Sequence, residues 1–95
     1  MRAVGEHFAD RLFLGVAGVT AAGMLTESDP LEAEIKRAMI AQAGGAVLLL
    51  DPPTLAGHGL IAVADVSELS AVIAAGVAPA ALGPVRAPGV ALHIT

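Results

Sequence analysis

The chain contains no cysteine, tryptophan or tyrosine, and its only aromatic residues are Phe8 and Phe13. Without thiols there is no disulfide, no cysteine nucleophile and no cysteine-based metal site. Without large aromatic side chains the buried area must come from Ala, Val, Leu and Ile. Charge is scarce as well. Five Lys and Arg stand against nine Asp and Glu, 15% of 95 residues, for a net charge of −4. Binding to nucleic acid phosphates needs a clustered basic surface, and Lys36-Arg37 is the single adjacent basic pair, so no direct nucleic acid contact is expected. Long uninterrupted apolar runs are missing too. The longest charge-free stretch, Leu69 to Val85, is broken by Ser70, Gly76, Pro79, Gly83 and Pro84, which excludes a spanning helix there. The opening MRAVGEHFADR lacks the apolar core of a signal peptide, so a cytoplasmic, non-membrane protein is expected.

What is present is an apolar chain, 56% hydrophobic with a mean hydropathy of +0.77. A chain of this length suits one small domain, which buries a smaller share of its surface than a large one. So much apolar surface with so few charges predicts a homo-oligomer or a covalent neighbour that covers part of it.

Two short continuous apolar runs, LFLGV (12–16) and AVLLLD (46–51), read as strands buried on both faces. Between them lie the loop AGVTAAGMLTES (17–28) and a helix from about Pro30 to Ala43. Asp29 is its N-cap, Pro30 its first residue and Glu32 the third position of a capping box; Gly44-Gly45 ends it. Leu31, Ile35, Ala38 and Met39 recur at helical spacing and are expected to form its core-facing stripe. Pro52-Pro53 is expected to terminate the second strand. Strand, helix and strand make a βαβ unit with parallel strands. Further strands are expected at 60–64, 70–74 and 90–94, with a helical turn around 79–84. The fold class is therefore α/β, a short, open, mainly parallel sheet in one domain over residues 1–95.

In such a sheet ligands gather at the carboxyl ends of the strands. This places the loop after Gly15, the helix start and Asp51 at one edge. Glu32 and Lys36, four apart, share a helix face on which they either bind a hydroxyl and a phosphate or form a cap and an i,i+4 ion pair. Asp51 is either a ligand group or the cap of the next turn. Gly15, Gly18 and Gly23 permit close backbone approach to a ligand, but their spacing is neither a dinucleotide fingerprint nor a P-loop. His7, His58 and His93 have no paired-ligand spacing, so no metal is expected. Ser67 and Ser70 lack a His at the spacing of a hydrolytic site.

Taken in order, Leu14-Gly15, Gly18, Gly23-Met24-Leu25-Thr26, Glu32-Ala33, Lys36-Arg37-Ala38-Met39 and Asp51 resemble the effector-sensing domain of DeoR-type bacterial transcriptional regulators. GLIAVADVSELSAVI extends the resemblance. That domain is similar to ribose-5-phosphate isomerase, and its members usually respond to phosphorylated sugars. The resemblance implies a sugar phosphate effector on Gly15, Gly18, Thr26, Glu32, Lys36 and Asp51, no cofactor, and oligomeric repression. It further implies that a helix-turn-helix and the first half of the sensing domain lie upstream of this stretch. Ala17, Pro52-Pro53-Thr54 and Ala74-Ala75 stand where the family commonly has an acid, a lysine and Thr-Asp. With at best Glu32, Lys36 and Asp51 to move a proton, catalysis is not expected. The alternatives are an isomerase-like enzyme and an assembly module without a ligand.

Overall fold

The computed structural model describes residues 11–57 and 59–95. His7, Phe8 and His58 lie outside the described residues. A parallel sheet is built from β1 (Leu12–Leu14), β4 (Ala46–Leu50), β6 (Ala71–Ala74) and β7 (Ala91–Ile94), in that spatial order. Leu12 pairs with Ala46, Val47 with Ala71, and Ala71 with Ala91. A second, antiparallel sheet orders β2 (Gly18–Val19), β3 (Met24–Glu27) and β5 (Ile61–Asp65). The helices are α1 (Pro30–Gln42) and the short α2 (Pro52–Ala56), with 3-10 turns at Val66–Glu68 and Pro79–Val85. The α/β class and the mainly parallel sheet agree with the sequence reading.

The crossover from β1 to β4 holds more than a helix. Its expected loop contains the β2–β3 hairpin, closed by Thr20, whose carbonyl accepts from Gly23 N–H at 2.9 Å and whose hydroxyl accepts from Met24 N–H at 3.0 Å. Gly23 has φ +90, a conformation side chains rarely adopt, and a Cβ there would meet the Pro84 carbonyl at 2.8 Å. On β5 the register slips opposite Leu25 and Thr26, leaving Val63 as the extra residue of a bulge.

α1 starts as expected. Asp29 Oδ1 accepts from Leu31 N–H at 2.8 Å and Pro30 occupies the first turn. Its packing corrects the sequence reading. Ala33 is fully buried and Ile40 packs on the core, whereas Leu31, Ile35 and Met39 are 63%, 49% and 42% exposed. The helix lies chiefly on β5 and β3, where small Ala33 permits close approach and Arg37 donates to the Ala62 carbonyl. The apolar stripe therefore faces away from the core.

The core lies against one face of the parallel sheet. Leu14, Leu48, Leu50 and Val72 from that face join Leu25, Val63, Val66, Leu82 and Val85. Each fully buried Leu or Val contributes about 1.5–3 kcal/mol. The alternate residues point to the opposite face, where Phe13 is 57% and Leu49 46% exposed, with only Val47 buried. Parallel sheets ordinarily bury both faces, so this face is half bare. Among the described residues no helix is long and apolar enough to cross a membrane.

Candidate functional site

Because β1, β4, β6 and β7 run parallel, their carboxyl ends bring Gly15, Asp51, Ala75 and Thr95 to one edge. A cavity of about 290 Å³ opens there, lined by Leu49, Leu50, Asp51, Ile73 and Ala75. Its walls are apolar apart from Asp51. The strand ends are knitted by Ala75 N–H to the Leu50 carbonyl at 2.9 Å and Thr95 N–H to the Ala74 carbonyl at 2.8 Å.

Asp51 is the N-cap of α2, its Oδ1 accepting from Thr54 N–H at 2.9 Å. The Thr54 hydroxyl and amide together hold its carboxyl below the ordinary aspartate value, so it stays ionised at neutral pH. The two readings of this residue coexist: it caps the turn and it is the charged group of the cavity. Pro52-Pro53 starts α2 rather than merely ending β4, since proline is tolerated in a first helical turn.

Lys36 does not pair with Glu32. Its ammonium donates to the Gly15 carbonyl at 2.6 Å and to Glu27 Oε2 at 2.5 Å. The Glu27 side chain is 7% exposed and that of Lys36 20%, so this is a largely buried ion pair tying α1 to β3 and to the end of β1. Glu27 was absent from the sequence-derived candidates. Its signal was weak, since an acid in LTES reads as a solvated loop residue until the strand Met24–Glu27 is recognised. Glu32 is exposed, and the capping box expected of it does not form; Asp29 caps α1 alone.

Gly18 and Thr26 do meet. Paired across β2 and β3, both are buried, and Thr26 Oγ1 donates to the Gly18 carbonyl at 3.1 Å. The hydroxyl is used within the hairpin. A full capping box occurs instead at DVSE: Asp65 Oδ1 accepts from Ser67 N–H and Glu68 Oε2 from Asp65 N–H, each at 2.9 Å. The Ser67 amide and hydroxyl keep the Asp65 carboxyl below its ordinary value. His93 lies on the exposed outer strand β7. Among the described residues no three His, Cys, Asp or Glu side chains cluster as a metal site.

A family model described as the DeoR C terminal sensor domain matches residues 2–75. The chain belongs to this family. It is thus an effector-sensing domain of the kind found in transcriptional regulators, as the ordered motifs implied. No curated protein and no solved structure matches it. The span shared with the DeoR sensor domain ends at Ala75, so every wall of the cavity falls within it, whereas the Pro79–Val85 turn and β7 fall beyond.

Proposed function

We propose that this DeoR-type sensor domain binds a small sugar or sugar phosphate at the carboxyl edge of its parallel sheet. The observation that carries the reading is the cavity there, with an ionised Asp51 beside the apolar floor of Leu49 and Ile73. An apolar floor suits the C–H face of a sugar ring, and a carboxylate accepts its hydroxyls. The phosphate of a phosphorylated effector would reach the outer side of Lys36, whose ammonium has one donor beyond the two already used.

On this reading the chain is the C-terminal part of a cytoplasmic regulator's sensing domain, with the helix-turn-helix upstream, and it works as a homo-oligomer. Its half-bare sheet face and outward Leu31, Ile35 and Met39 support self-association. The role is binding rather than turnover: Lys36 and Glu27 neutralise each other and Glu32 stands in solvent. Calorimetry with pentoses, hexoses and their phosphates tests the proposal. Simple sugar phosphates are expected to bind in the millimolar range. Asp51→Asn, which keeps the cap oxygen but removes the charge, should weaken binding roughly tenfold to a hundredfold. Binding unaffected by Asp51→Asn would move the site elsewhere, and catalytic conversion of a sugar phosphate would replace sensing by an isomerase-like reading.

A further inference from the structure

We infer that Glu27 is a specificity-determining residue: its carboxylate occupies Lys36 from within and thereby holds down the affinity of this edge for anions. The inference rests on the effector site proposed above. Lys36 is the cation that the fold brings to the carboxyl end of β1, where its ammonium lies 2.6 Å from the Gly15 carbonyl. The other described basic side chains are placed differently. Arg37 is on the Ala62 carbonyl of β5, Arg86 Nη2 is 3.4 Å from the Pro79 carbonyl, and Arg11 precedes β1 at the opposite edge.

Glu27 reaches Lys36 from the end of β3, beneath α1, and not from the loop that faces solvent. Its side chain is the more buried of the two. A carboxylate and a phosphate compete for the same ammonium by the same charge-assisted hydrogen bonds. An entering phosphate would share Lys36 with a negative charge already beside it, and two anions at one cation repel each other. A neutral hydroxylated ligand meets no such competitor. The edge therefore selects against a phosphate group, and one residue on β3 sets how strongly.

The test uses inorganic phosphate as probe, followed by amide NMR shifts at Gly15 and Val16, on the wild type and on Glu27→Gln, Glu27→Asp and Glu27→Gln/Lys36→Met, each first shown to melt cooperatively. Glu27→Gln should bind phosphate about tenfold to a hundredfold more tightly than the wild type. Glu27→Asp keeps the charge and should show no such gain, and the double variant should lose it. A folded Glu27→Gln protein with unchanged phosphate affinity overturns the inference, as does a gain that survives removal of Lys36. Failure of the effector site itself is read separately, from binding of an unphosphorylated sugar to the wild type and its loss in Asp51→Asn. Should Glu27→Gln fail to fold, Glu27→Ser takes its place, with the same gain expected and the same absence of gain overturning the inference.

Discussion

Thr26 Oγ1 donates to the carbonyl of Gly18, 3.1 Å away on the neighbouring strand, so a hydroxyl expected to hold a ligand holds the hairpin instead. Thr26→Val removes the donor and leaves a buried carbonyl with one partner fewer. It should cost about 1–2 kcal/mol in urea unfolding while leaving effector affinity unchanged. A specific loss of binding with unaltered stability would return Thr26 to the ligand site.

Lys36→Met leaves the Glu27 carboxylate buried without its counter-ion. The expected loss is about 3 kcal/mol, near the lower end for breaking a buried pair because Lys36 keeps some contact with water. Adding Glu27→Gln to Lys36→Met should recover most of that loss. Chemical denaturation of the four proteins in this cycle measures the coupling, and additive effects would show that the pair does not act as a unit.

Asp51 and Asp65 are both held below the ordinary aspartate value, the first by the Thr54 hydroxyl and amide, the second by the Ser67 amide and hydroxyl. A folded-state pKa below the unfolded one adds stability that is complete above pH about 4 and lost as pH falls through the lowered value. Carboxyl NMR titration should therefore find both below a free aspartate. Asp51→Asn and Asp65→Asn should each retain the cap while flattening the acid limb of the stability profile.

Gly57 sits where a Cβ would come 2.1 Å from the Ala17 carbonyl, and Gly59 where it would come 2.7 Å from the Glu27 nitrogen. Gly57→Ala and Gly59→Ala must displace backbone and should each cost about 2–3 kcal/mol by thermal or chemical unfolding. Gly15 has nothing within 4 Å of its Cβ position. Gly15→Ala should change stability by no more than about 0.5 kcal/mol, so any effect on effector binding reports on the site itself.

Phe13 and Leu49 on the half-bare sheet face predict self-association. Sedimentation over a dilution series should detect species larger than a monomer, reduced by Phe13→Ser together with Leu49→Gln. A monomer at all concentrations would mean that this exposed face does not drive self-association.

The parallel strands were legible because each is a compact apolar run, and α1 because Asp29-Pro30 and Gly44-Gly45 mark its ends. The hairpin was not. Gly18 and Gly23 read as loop punctuation, although Gly23 is the turn residue that lets β3 return beside β2. α2 begins with Asp51-Pro52, the same cap and proline as α1, but Pro52-Pro53 together read as a strand terminator. The orientation of α1 was hidden for another reason. The face it turns to β3 and β5 joins Ala33 and Ile40 to Lys36 and Arg37, whose charged ends find the largely buried Glu27 carboxylate and the backbone carbonyls of Gly15 and Ala62. Periodicity weighs side chains by hydropathy and cannot register that pairing. The sequence reading puts Gly15, Lys36 and Asp51 near the carboxyl ends of the strands, while Glu27, which pairs with Lys36 from the end of β3 beneath α1, becomes visible only in three dimensions.

The hairpin and helix inserted between β1 and β4 also bear on the order of assembly. Leu12 cannot pair with Ala46 until the whole crossover has closed, whereas β2 and β3 meet across a short turn. Contacts so distant along the chain carry a large loop-closure cost and form late. β1 is only three residues long and, among the described residues, lies at the edge of its sheet. In hydrogen exchange, Phe13 and Leu14 should open well before Leu48 and Val72, so the strand that delivers Gly15 to the candidate site is the first part of the sheet to let go.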